Sequence, residues 1–229
     1  MKACGPWKVF RRSVFAAAML VAVCPPLAAE PARAQRDGTR AETTPPESTP
    51  PESAKPAATD TVNALHGTFL DVMKRADELG FDGRFAELSS VIEGAFDLEF
   101  MALKTIGEGR KQLGELDRAR WVASFGKFLL ANYARRFDGW SGQSFESLVE
   151  EPAPRNTVVV RTRLIRPDDD DVKLDYRLRP THSGWRIIDI YSNGNVSELA
   201  LRRSEFSSLF REVGLDQLIA SVDAKAARR

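Results

Sequence analysis

The sequence predicts an α+β domain in which helices pack on one face of an antiparallel sheet of about four strands. Three observations predict it. Apolar residues recur at helical spacing up to about residue 140, alternate with polar ones from about 158 to 191, and return to helical spacing from 206 to 222. With no helical stretch between the alternating runs, the strands are joined by turns and pair antiparallel, and the helices gather on one side.

Residues 1–34 read as a secretory signal peptide that is removed. Lys2, Lys8, Arg11 and Arg12 precede the uncharged run Val14 to Val23, which is too short to cross a bilayer. Cleavage falls at Ala32-Arg33-Ala34 or at Leu27-Ala28-Ala29. Cys24 follows Val23 instead of the small residue that lipid attachment favours, so cleavage without lipidation is expected. Losing this segment removes Cys4 and Cys24, leaving no thiol for a disulfide, a metal or a nucleophile. It also removes five of 33 Lys/Arg and one of 32 Asp/Glu, which moves the formal net charge from +1 to −3 and argues against a nucleic-acid partner. Residues 35–59 carry Pro45, Pro46, Pro50, Pro51, Pro56 and the near-repeat TPPES/TPPES, with almost no large apolar residue. They read as a disordered tether to a domain over residues 60–229.

In that domain, Asp60 or Thr61 can cap a first helix whose buried stripe is Val62, Leu65, Phe69, Val72, Met73 and Ala76, stopped by Gly80. Phe85, Leu88, Ile92 and Phe96 make a second stripe. Asp97 caps a short helix carrying Leu98, Met101 and Ile106. Trp121, Phe125, Phe128, Leu129 and Tyr133 mark one face of a long helix from about Glu115 to Trp140. Val158, Val160, Thr162 and Leu164 then alternate with Val159, Arg161, Arg163 and Ile165, and Val172, Leu174, Tyr176 and Leu178 alternate with Lys173, Asp175, Arg177 and Arg179. Pro167 to Asp171 turns between these two strands. An earlier strand lies within Ser141 to Glu150 and the last spans Gly184 to Tyr191. The last has two readings: either Trp185, Ile187, Asp189 and Tyr191 face inward, or Ile188 and Ile190 do. Two closing helices, striped by Phe206, Leu209, Phe210, Val213 and by Leu215, Leu218, Ile219, Val222, are separated by Gly214, and the end frays from Ala224.

Motifs of reaction chemistry are weak. Gly107-Glu108-Gly109 with Gly114 has a misplaced third glycine and follows a helix, so it is not a nucleotide loop. Asp168 to Asp171 lacks the glycine and distal glutamate of a calcium loop. His66 and His182 are the two histidines and lie in different elements, so no metal cluster or catalytic triad assembles. One enzymatic alternative remains, in which an inward Asp189 acts as base beside Tyr176 in a cone-shaped, isomerase-like pocket. Against it, Asp189 can instead accept backbone N–H groups at the start of the closing helices.

The order DLEFMALKTIG, LDRARWVASFGKFLLANYARRF and GWRIIDIYSNGNVSELALRRSEFSSLFREVGLDQLIASV resembles the MlaC family, also called toluene-tolerance or ABC-transporter auxiliary proteins, over nearly all of Asp60 to Val222. The matching positions are Phe96-Asp97, Met101-Ala102, Ile106-Gly107, Phe125, Leu129-Leu130, Tyr133-Ala134, Trp185, Asp189, Ser197, Phe206, Gly214, Asp216, Leu218 and Ile219. VSELALRRSEF is most similar to the hopanoid-biosynthesis-associated branch, HpnM. Arg110 stands where the family usually has tryptophan, and Asn193 to Ser197 replaces its glycine-serine junction.

The resemblance implies an NTF2/cystatin-like cone and a monomeric periplasmic carrier, not an enzyme and without a cofactor. Such a carrier shuttles a phospholipid or hopanoid between an inner-membrane ABC-transporter or MCE-type complex and other membrane transporters. An apolar cavity between sheet and helices is then expected to be lined by Phe96, Met101, Phe125, Leu129, Tyr133, Val160, Leu174, Tyr176, Leu178, Phe206 and Phe210; the same positions also fit a core without a cavity. Arg161, Arg163, Lys173, Arg177 and Arg179 make the outward sheet face basic, with Asp175 the main exception. That face is either solvated or a docking surface for an acidic partner or anionic headgroups.

Overall fold

Alanine at position 58 is fully buried, which explains why helix α1 (Ala58–Lys74) starts two residues inside the stretch read as tether. The computed structural model describes residues 57–228, so the signal peptide and most of the tether lie outside the described residues. Asp60 secures the start of α1 by accepting the Ala57 N–H at 2.9 Å. Val62, Leu65, Phe69, Val72 and Met73 are buried as the helical period requires.

The expected single helix up to Gly80 is divided. α1 stops at Lys74, and α2 (Ala76–Ala95) contains the break at Gly80, whose φ of 57° is available to glycine. Arg84 holds this corner from inside: its Nε donates to the Ala134 carbonyl and its Nη1 to the Ala76 carbonyl, both at 2.9 Å. Asp97 caps α3 (Leu98–Thr105) as expected, accepting the Phe100 N–H at 3.0 Å. A 3-10 turn (Gly107–Gln112) leads to α4 (Glu115–Arg136), where the Trp121 indole donates to the Ala102 carbonyl at 2.7 Å.

Five strands form one antiparallel sheet in sequence order: β1 (Ser144–Ala153), β2 (Thr157–Ile165), β3 (Val172–Thr181), β4 (Gly184–Ser192) and the two-residue β5 (Val196–Ser197). The register of β4 follows neither expected alternation. A bulge opposite Arg177 and Leu178 pairs Leu178 with Ile187 but Tyr176 with Ile190, so Ile187 and Ile190 share the inner face although three residues apart. The sheet curls around α1. From β1, Ser147 donates to Asn63 at 2.6 Å and Glu150 accepts the Thr59 N–H at 2.9 Å, while on the far side Thr61 lies 3.5 Å from the Trp185 carbonyl of β4.

Ser197 caps α5 (Glu198–Ala226), its Oγ accepting the Ala200 N–H at 2.9 Å. Gly214, at φ 78° and ψ −177°, turns α5 back on itself. The Glu205–Lys225 ion pair joins the two arms, and the second arm runs along α4 through Arg120–Asp216 at 2.6 Å and Ser124–Asp223 at 2.8 Å. The expected fraying from Ala224 is absent because Ala226 is 4% exposed and belongs to the core. Among the described residues no helix is long and apolar enough to cross a membrane.

Candidate functional site

The curled sheet and α1 bring one set of aromatic rings together. Phe69 lies 4.3 Å from Phe137 and 5.0 Å from Tyr133, ring to ring, and Phe96 reaches Tyr133 at 5.8 Å. His66 stacks on Phe145 at 4.0 Å, and its Nε2 is 3.0 Å from the Tyr176 hydroxyl. Burial lowers the His66 pKa to about 3 and raises both the Tyr133 and Tyr176 phenols, so all three are neutral near pH 7. A second set sits between α4 and α5, where Phe206 meets Trp121 and Phe128 edge to face, each at 5.6 Å.

The eleven residues expected to line one cavity are therefore distributed. Phe96, Tyr133, Val160, Leu174, Tyr176 and Leu178 belong to the sheet side of the core. Met101, Phe125 and Phe206 belong to the helix side, and Leu129 is half-buried against the core. Phe210 is half-buried at the edge of the core, packed against Gly109. Aromatic rings pack against one another under the sheet, and clefts open elsewhere. One of about 390 Å³ lies between the 3-10 turn and α5, and one of about 150 Å³ lies on the outer sheet face beside Arg161, Asp175 and Tyr191. His66, Phe137 and Phe145 had no place in the expected site. A lone histidine carries no pattern, and the two phenylalanines join Phe69 only through tertiary packing, Phe137 from the end of α4 and Phe145 when β1 folds over α1.

The outer sheet face carries the expected cations, and most of them are paired with neighbouring strands or caps. Arg161 bridges Glu151 and Asp175, both at 2.8 Å, and Arg163 pairs with Glu146 at 2.6 Å. Arg179 reaches Asp97 at 2.5 Å, and Arg177 donates to Thr157 and to the Pro154 carbonyl at 3.0 Å each. The reason is register: β1 sets Glu146 directly opposite Arg163. Of the five cations, the Lys173 ammonium has no ion pair or hydrogen bond among the described residues.

The Asp189–Tyr176 pairing is corrected. Tyr176 faces Ile190 on the inner side, whereas Asp189 sits opposite Arg177 on the outer side. Asp189 accepts the Ile190 and Leu199 N–H groups at 2.8 and 3.1 Å and the Ser197 hydroxyl at 2.6 Å, so its oxygens hold the entry to α5. Among the described residues no cluster of three or more His, Cys, Asp or Glu could hold a metal.

The model of the MlaC protein family matches residues 63–224. The chain belongs to the MlaC family. Among solved structures, a phospholipid-binding protein from Ralstonia solanacearum, determined in complex with a phospholipid, is similar in fold. It is 20% identical, with a TM-score of 0.66 over 75% of this chain and 99% of that one. The MlaC-type fold expected from the sequence is thus present, with helices on an antiparallel sheet of five strands in place of about four.

Proposed function

We propose that this chain is a periplasmic lipid carrier that holds a lipid's hydrocarbon between its curled sheet and its helices and passes it between membrane complexes. Membership of the MlaC family across residues 63–224 carries the reading. The phospholipid held by the Ralstonia solanacearum protein of like fold favours a phospholipid as cargo. Within the same reading, VSELALRRSEF favours a hopanoid.

The energetics suit a carrier. Each methylene removed from water is worth about 0.8 kcal/mol, so a sixteen-carbon chain gains on the order of 12 kcal/mol in a dry interior. Against a bilayer that gain nearly vanishes, because hydrocarbon is exchanged for hydrocarbon. Cargo is retained in water and released at a membrane. Since the Phe69, Tyr133 and Phe137 rings occupy the interior, the lipid enters by displacing them, and α5, jointed at Gly214, is the wall that yields.

Native mass spectrometry of protein purified from its host's periplasm tests the reading. A co-purified lipid is expected, and its mass separates phospholipid from hopanoid. Lipid-free protein that also takes nothing from labelled vesicles would overturn it. Transfer to an ABC-transporter or MCE-type partner is tested separately at Lys173 and Arg177, the two outer-face cations outside ion pairs. Reversing both to glutamate is expected to spare loading and slow transfer, and loss of loading counts against docking there.

A further inference from the structure

The cleft of about 390 Å³ between the 3-10 turn and the first arm of α5 has an apolar floor and a cationic wall. Its floor is Ile106, 2% exposed, together with the half-buried ring of Phe210. The wall is a single stripe of α5 in which Arg203, Ser207 and Arg211 follow at intervals of four, so two guanidinium groups flank one hydroxyl. Among the described residues neither guanidinium has an ion-pair or hydrogen-bond partner, in contrast to Arg161, Arg163 and Arg179 on the sheet. The one carboxylate in the lining, Glu108, is already engaged by Lys111 at 2.5 Å and Arg110 at 3.7 Å. Glu108 also lies within electrostatic reach of Arg203, so this one anion is shared among Lys111, Arg110 and Arg203 and the opening keeps an excess of positive charge.

Neighbouring guanidinium groups suit the tetrahedral oxygens of phosphate, which accept paired N–H bonds. The donors here are side chains, so the failure of Gly107-Glu108-Gly109 to form a backbone phosphate loop does not count against the site. The floor adds a second feature. Phe210 packs so closely on Gly109 that a Cβ there would lie 2.5 Å from its ring, and it stands one helical turn from Phe206 in the α4–α5 aromatic set. A ligand seated by its phosphate on the arginines thus has apolar protein directly beneath it.

We propose that this cleft is a seat for a phosphate group, gripped by Arg203 and Arg211 with Ser207 between them, and that it takes the headgroup phosphate of the carried lipid. The second half rests on the lipid-carrier reading; the first does not. The test uses R203A/R211A in the full chain beside the wild type. Both side chains are exposed and unpaired, so the thermal midpoint is expected to stay unchanged, and R203K/R211K serves as a variant that keeps the charge but loses the paired donors. Vesicles of digalactosyldiacylglycerol carry a trace of labelled phosphatidylglycerol or of labelled diacylglycerol with the same chains. R203A/R211A is expected to lose about tenfold per arginine in phosphatidylglycerol uptake and nothing in diacylglycerol uptake, with the lysine variant between. Equal losses for both lipids, or no loss for either, overturn the lipid half.

Inorganic phosphate, titrated while the arginine Nε–H resonances are followed by NMR, is expected to shift Arg203 and Arg211 saturably. Should wild type load neither lipid, the carrier reading fails, and this titration alone decides the seat: saturable shifts uphold it as a free-phosphate site, and their absence overturns it. Selective loss of phosphatidylglycerol uptake without phosphate shifts assigns the seat to the lipid.

Discussion

The imidazole Nε2 of His66, on α1, lies 3.0 Å from the hydroxyl of Tyr176, on β3, and this is the polar contact at the centre of an otherwise apolar trough. Phe145 stacks on one side of the imidazole, so water has little access, and a proton arriving there has no carboxylate among its contacts to balance it. The pair fastens helix to sheet while both members are neutral.

That arrangement predicts a loss of stability on mild acidification. His66 has its pKa lowered from 6.5 to about 3 by burial, so between those values the unfolded chain binds a proton that the folded chain refuses. Stability from this residue is fully present above the unfolded value and falls with decreasing pH by about 1.4 kcal/mol per unit, or about 2 kcal/mol at pH 5. Urea titrations of wild type and H66Q at pH 7 and pH 5 measure it. The wild type is expected to lose about 2 kcal/mol more than the variant across that range, and parallel losses would show that His66 is not the titrating group.

Asp189 predicts a different kind of loss. Its carboxylate fixes Ser197, whose Oγ in turn caps α5 at Ala200, so one side chain governs the entry to the helix that closes the fold. D189N is expected to cost on the order of 2 kcal/mol, and D189A more, because the buried N–H of Ile190 and the half-buried N–H of Leu199 lose a charged acceptor. Thermal unfolding measures the cost. An unchanged midpoint would contradict the capping role.

The buried Arg84 offers a third measurement. It satisfies carbonyls at Ala76 and Ala134, tying the α1–α2 corner to the end of α4. R84M keeps the aliphatic bulk and removes both donors, and a destabilisation of about 2–4 kcal/mol is expected in urea titration. A loss below about 0.5 kcal/mol would mean that water replaces the guanidinium.

The contrast between these residues explains what was legible in the sequence. The α1 stripe, the Asp97 cap and the breaks at Gly80 and Gly214 are local, set by helical period and by backbone angles open to glycine, and all were readable. The α1–α2 boundary at Arg75 was not, because neither glycine nor proline marks it. The β4 faces were ambiguous because the bulge opposite Arg177 and Leu178 is a property of two strands together. The ion pairs of the outer face were hidden for the same reason: Glu146 and Glu151 meet the arginines only through the β1–β2 register. Of the candidate site, the apolar residues were legible as buried, but their division between sheet side and helix side depends on how α5 folds back on α4.

Gly214 makes the final prediction, because its role can be separated from packing. Nothing lies within 4 Å of a Cβ added there, yet its φ of 78° is one that L side chains rarely adopt. G214A is therefore expected to destabilise by about 1–2 kcal/mol through backbone strain alone. Gly67 supplies the control. A Cβ there also meets nothing within 4 Å, but Gly67 lies inside α1 without a positive φ, so G67A is expected to stabilise by about 0.4–1 kcal/mol. Opposite signs in thermal unfolding would establish that the turn in α5 is held by glycine's backbone freedom. If the two substitutions act alike, the reversal at Gly214 is enforced instead by the Glu205–Lys225 pair and the contacts of each arm with α4.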